Sequence, residues 1–133
     1  MTHGWTFDLA RRGMVGLALA MVTAGGAAAA DVKAPETKAY VVNEITVSDE
    51  ARFQTYATQV PATLTPFGGK YVVRGGKGEA MSGTPPTDRI VILEFPSRAQ
   101  AKAWRASAAY QKILPIRDAT STSRVYVVDA FVP

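Results

Sequence analysis

The chain has 133 residues, a net charge of +4, a single histidine and no cysteine. Because that histidine is His3, the rest of the chain lacks thiol nucleophiles, the usual metal ligands and the side chain that most readily moves protons near neutral pH. No metal and no cofactor is therefore expected, and chemistry falls to arginine, tyrosine, tryptophan and carboxylates. The basic residues are spread along the chain with no block of five or more, which gives nucleic-acid binding little support.

Residues 1–30 read as a cleaved leader. Arg11-Arg12 is a short basic start, Met14 to Val22 is the most apolar part, and Ala28-Ala29-Ala30 before Asp31 fits a small-residue cleavage site. The rival reading is an uncleaved anchor. The apolar stretch dilutes into Gly and Ala, whereas a spanning helix needs ~20 predominantly apolar residues. The arginine pair raises a twin-arginine route, but Ala10 precedes it and Met14 stands where such signals usually carry Phe. Export by the general route to the periplasm or beyond is the expectation, with no membrane attachment after cleavage.

Residues 31–37 are polar, contain Pro35 and read as a flexible lead-in to one domain over 38–133. The first strand is predicted over 38–47. Val41, Asn43, Ile45 and Val47 share one face there, and Tyr40, Val42, Glu44 and Thr46 share the other. Ser48 is the expected N-cap of a helix carrying Phe53, Tyr56, Ala57, Val60 and Leu64 as one stripe, which Pro61 should kink. Residues 71–74 give a second strand running into Gly75-Gly76, and a short extended piece is expected at about 78–82. The third strand is 89–95. Ser97 with Gln100 forms a capping box for a helix over 98–106, with Ala101, Trp104 and, beyond it, Ala108 toward the core. Ser107 caps another short helix over 108–117, with Tyr110, Ile113 and Leu114 inside, and the last strand is predicted over 124–131. The order is β-α-β-β-α-β with one added short helix, an α+β, ferredoxin-like split βαβ arrangement.

Ile90 to Leu93 and Val125 to Val128 are unbroken apolar runs rather than alternating ones. Two helices cover only one face of such a sheet. The other face then needs a cover, and a second copy is the simplest one. A homodimer is expected, with a polar-lined cavity between the two sheets.

The residues Tyr71-Val72-Val73-Arg74-Gly75-Gly76, then Ser82-Gly83, then Arg89 to Ser97, together with Ala103 to Gln111 and Arg117, resemble the DUF1330 family. The resemblance covers roughly residues 38–131. It implies a dimeric α/β barrel, a fold shared with small monooxygenases, isomerases and stress proteins, and no settled activity. The family usually has an acidic residue before the glycine corresponding to Gly83, where this chain has Ser82. If that carboxylate is a general base elsewhere, this member is altered.

Arg74, Arg89 and Arg117 are the candidate ligand residues, because a guanidinium fork suits a carboxylate or phosphate. The competing role is ion pairing with Glu44, Glu79, Glu94 or Asp129. Tyr110, beside Ser107 at the start of its helix, joins them as a candidate, whereas Trp104 and Tyr56 read as core. Arg74-Gly75-Gly76-Lys77-Gly78 lacks the spacing of a phosphate loop and reads instead as a bulge that re-aims Arg74. Haem chemistry usually involves a histidine on the iron, which this chain lacks, although a Tyr ligand stays open. Two readings follow. One is a cavity binding a small anionic or oxygen-rich molecule, with any catalysis of cofactor-free isomerase, lyase or oxygenase type. The other is a non-catalytic binding or stress module whose arginines stabilise the dimer.

Overall fold

The computed structural model describes residues 36–86 and 88–133. The leader, its cleavage site and most of the lead-in lie outside the described residues, as does Thr87. Ala39–Val47 (β1) leads into Glu50–Ala57 (α1) and Val60–Leu64 (α2), with a 3-10 turn at Thr65–Phe67. Lys70–Gly76 (β2) and Arg89–Phe95 (β3) follow, then Arg98–Ala106 (α3), Ala108–Thr120 (α4) and Ser121–Asp129 (β4). The strands form one sheet in the order β2-β3-β1-β4, every neighbour antiparallel. This is the ferredoxin-like α+β arrangement.

The four α-helices of the described residues pack on one face. Ala39, Val41, Asn43 and Ile45 of β1 are buried there, opposite Phe95, Leu93, Val91 and Arg89 of β3. Phe53, Tyr56, Val60 and Leu64 close over them from α1 and α2, and Trp104, Tyr110 and Ile113 from α3 and α4. Trp104, Tyr110 and Phe95 are the largest fully buried side chains, each contributing about 1.5–3 kcal/mol by burial. Ala101 joins this core as expected, but Ala108 is exposed at the start of α4.

Several local details differ from the sequence reading. Asp49, not Ser48, caps α1, accepting from the Arg52 N–H at 3.0 Å. Ser48 instead gives both its N–H and its hydroxyl to the Thr120 carbonyl, at 2.8 and 3.0 Å, where α4 ends with unpaired carbonyls. The chain breaks at Thr58-Gln59 and restarts with Pro61 in the first turn of α2, where its missing N–H costs nothing. Residues 78–82 form no strand, being Gly-, Ser- and Ala-rich with no β-branched side chain to pack. Ser97 caps α3 through the Gln100 N–H at 3.2 Å, but among the described hydrogen bonds Gln100 does not reach back. The last helix runs past Pro115 to Thr120, where the Thr120 and Ser121 hydroxyls take the Ile116 and Arg117 carbonyls. Finally, β4 begins at Ser121, because pairing with β1 over Val47↔Ser121 to Ala39↔Asp129 overrides the weak propensity of Ser-Thr-Ser.

The opposite face carries Val42, Ile90 and Ile92, half-buried, with Tyr126 and Val128 41% and 43% exposed. The apolar runs thus do have two apolar sides, and one of them is open in the single chain. Among the described residues, no helix is long and apolar enough to cross a membrane.

Candidate ligand cavity

A cavity of about 290 Å³ lies between the helix-covered face of the sheet and α1. It belongs to one protomer, on the side opposite the open face. A chamber between two sheets is therefore not needed to bring the arginines together. Phe53, Val60, Val91, Leu93 and Trp104 give it apolar walls, and Asn43, Tyr56, Tyr71, Arg74 and Arg89 bring the polar groups.

Arg74 reaches this face through an irregularity in β2. Tyr71 pairs with Leu93 and Val73 with Ile92, so Val72 is an extra residue, and it is 54% exposed. A second shift follows between Arg74 and Gly76, with Gly75 at φ +72°. The bulge turns Arg74 to the same side as Tyr71, and its guanidinium carbon sits 4.9 Å from the Tyr71 ring centroid. Among the described residues Arg74 has no carboxylate partner. Burial pushes the Tyr71 hydroxyl above its ordinary pKa, and Arg74 opposes that.

Arg89 opens β3 opposite Ile45 and also lines the cavity. It is engaged, however: Nη2 donates to both carboxylate oxygens of Glu50 at 3.0 and 3.1 Å, and its guanidinium lies 5.3 Å from the Phe53 ring centroid. Hydrogen bonds from Gln54 and Arg89 hold the Glu50 carboxyl below its ordinary pKa.

Ser107, Tyr110 and Arg117 do not line the cavity. Ser107 is the joint between α3 and α4: its hydroxyl donates to the Trp104 carbonyl at 2.7 Å and accepts the Tyr110 N–H at 3.3 Å. Tyr110 is fully buried behind Tyr56, with the two hydroxyl oxygens 3.1 Å apart. Arg105 Nη1 and Arg117 Nη1 both donate to the Tyr110 oxygen, at 2.7 and 3.3 Å. Arg117 also holds Asp118 at 2.9 Å. Burial above all, then the neighbouring Tyr110, raises the Tyr56 pKa strongly, so Tyr56 keeps its proton.

The strand carboxylates stand outside the cavity, each with partners. Glu44 takes Arg124 and Tyr126, Glu94 takes Lys38, Lys70 and Tyr40, and Asp129 is held by both nitrogens of the Arg98 fork at 2.9 Å. Ser82 lies in the exposed β2–β3 connection, away from the cavity. Asn43 and Tyr71 were missed as cavity residues in the sequence, and Tyr56 and Trp104, weighed there as core, line it too. Asn43 had a signal: it is the polar member of an otherwise apolar stripe, and among the described residues its side chain makes one long hydrogen bond, 3.5 Å from Nδ2 to the Val91 carbonyl.

A profile for a domain of unknown function, DUF1330, matches residues 38–131. The chain belongs to the DUF1330 family. Among curated proteins none matches it. Its fold is similar to that of a Rhodopseudomonas palustris protein of unknown function, with 20% identity over 74% of this chain and 85% of that one, at a TM-score of 0.61. It is also similar to SnoaB, a cofactor-independent oxygenase from Streptomyces nogalater, with 17% identity over 73% of this chain and 96% of that one, at a TM-score of 0.54. A dimeric ferredoxin-like protein of unknown function from Thermobifida fusca has 10% identity over 75% of this chain and 97% of that one, also at 0.54. At these identities the likeness to this DUF1330 chain is one of fold.

Proposed function

We propose that this DUF1330 protein binds a small anionic or oxygen-rich molecule in the cavity between its sheet and α1. The observation that carries the reading is Arg74, a cation stacked on Tyr71 at the edge of an aromatic-walled cavity and without a carboxylate among the described residues. A concave apolar site with a few convergent polar groups is the usual form of a small-molecule pocket. Arg89 assists from the neighbouring strand, beside Gly75, while its pair with Glu50 orients it. Any catalysis would be cofactor-free, of isomerase, lyase or oxygenase type, and the fold likeness to SnoaB lends the oxygenase reading weight. The protein acts, in this proposal, as an exported homodimer. The open apolar face with Tyr126 and Val128 supports the second copy, as does the dimeric state of the Thermobifida fusca neighbour. The leader composition supports export.

The second reading is a non-catalytic binding or stress module whose arginines are structural. The Glu50 pair of Arg89 and the Tyr110 and Asp118 bonds of Arg117 favour it for those two residues, within one protomer rather than across a dimer. Thermal shift with aryl carboxylates and phosphates separates the readings. Stabilisation by a ligand that Arg74→Gln abolishes supports the anion site. If no ligand stabilises the protein and Arg89→Ala only lowers the melting temperature, the structural reading stands.

A further inference from the structure

The hydroxyl groups behind the cavity have a fixed proton order. The Tyr110 oxygen receives N–H groups from Arg105 at 2.7 Å and Arg117 at 3.3 Å, and neither guanidinium can accept in return. With its acceptor capacity taken, Tyr110 has only its own proton to give. Among the described residues its one remaining hydrogen-bond partner is the Tyr56 oxygen at 3.1 Å. Tyr56 is therefore the acceptor of that bond. Its own O–H then has no acceptor among the described residues, although the side chain is only 8% exposed and lines the cavity. A buried donor left without an acceptor is costly, so a native arrangement supplies one from the cavity. Two cations at the far end of the chain polarise it and strengthen the outward bond.

We propose that the Tyr56 hydroxyl is the donor at the base of the cavity, and that the occupant is a planar aryl anion whose neutral carbonyl oxygen accepts it. This rests on the reading of the cavity as an anion site. Arg74, exposed and stacked, takes the anionic end. Tyr56, buried, meets the other end. The walls between them are Phe53, Val91 and Leu93, which suit a flat ring. The cavity volume of about 290 Å³ is sized for one or two rings with short substituents. Tyr110 is a positioning residue: it touches no ligand but sets which way the Tyr56 proton points.

The test uses 4-acetylbenzoate, which has a ketone, and 4-isopropylbenzoate, which has nearly the same shape without one. Tyr56→Phe should weaken 4-acetylbenzoate roughly fivefold, the scale of one hydrogen bond, and leave 4-isopropylbenzoate within about a factor of two. Arg74→Gln should weaken both alike. In wild-type protein the bound ketone stretch should be shifted below its position in an aprotic solvent in infrared difference spectra, and in Tyr56→Phe it should move back toward that position. The wild-type band decides the matter if the Phe variant does not fold. An unshifted ketone band, or equal losses for both ligands in Tyr56→Phe, overturns the donor assignment while the Arg74→Gln effect keeps the anion site. Failure of wild type to bind either benzoate, or indifference to Arg74→Gln, overturns the anion site and this inference with it.

Discussion

Tyr71 and Arg74 stand three positions apart in β2 yet face the same side of the sheet, because Val72 is looped out between them. In an unbroken strand, residues an odd number apart face opposite ways. The bulge is thus what places a cation over an aromatic ring at the cavity. Deleting Val72 should restore simple alternation and keep Arg74 on the side of Tyr71, because the two are then two positions apart. The expected outcome is a folded protein that still gains thermal stability from 4-acetylbenzoate, read by the same thermal shift as for wild type; loss of that gain would count against facing as the bulge's role.

Gly75 supports that geometry with φ +72°. A Cβ there would meet nothing nearer than Arg89 Cδ at 3.8 Å, an ordinary contact, so space is not the obstacle. The obstacle is the left-handed backbone. Gly75→Ala should cost about 1–2 kcal/mol in urea-unfolding free energy, with an unchanged m-value.

At Gly69 the situation is reversed. Its backbone is ordinary, but a Cβ would lie 2.6 Å from Phe95 Cε1 and 3.0 Å from Leu64 Cδ2, both in the buried core. Gly69→Ala should destabilise by about 1–3 kcal/mol through overpacking. Combining it with Phe95→Leu should recover part of the loss in denaturant titration, since the clash is with the ring edge.

Ser107 serves two helices at once, closing α3 through the Trp104 carbonyl and opening α4 through the Tyr110 N–H. Ser107→Ala should cost about 0.5–2 kcal/mol, the range for a lost cap. Ser107→Asp should keep most of the cap at the start of α4, so a calorimetric melting temperature close to that of wild type is expected for it, and a clearly lower one for the Ala variant.

Glu94 and Asp129 carry an acid-stability signature. Lys70 and Lys38 hold the Glu94 carboxyl below its ordinary range, and Arg98 does the same for Asp129. A carboxyl with a lowered folded pKa contributes stability above its unfolded pKa, and that contribution disappears as pH falls through the folded value. The melting temperature should therefore hold through mildly acidic pH and drop below the ordinary carboxylate range. Asp129→Asn should lower stability at neutral pH while flattening the acid limb of a melting-temperature profile, and added salt should shrink both effects because the pair is exposed.

Much of the fold was legible in the chain. The strand at 89–95 and the helix at 98–106 coincide with their expected limits, since an unbroken β-branched run and a Ser cap are local signals. Residues 121–123 were not legible as strand, because Ser-Thr-Ser has no pattern of its own and takes its conformation from Val47, Thr46 and Ile45 across the ladder. The site was legible only in part. Arg74 and Arg89 do reach the cavity, and the glycines after Arg74 do mark a bulge. Tyr110 and Arg117, in contrast, lie beneath the cavity wall, and Tyr56, which reads as core, lines it.

What the amino-acid order determined by itself was the succession of strands and helices and which side of each is apolar, because periodicity and caps act over a few neighbouring residues. Tertiary structure alone decided that the cavity opens on the helix side of the sheet. It alone joined Tyr56 to Tyr110 and Arg117 across a helix pair, and among the described residues left Arg74 without the carboxylate that Arg89 found in Glu50. Those outcomes depend on which elements meet and at what height. A one-dimensional pattern names the apolar side of an element but not the neighbour that will cover it.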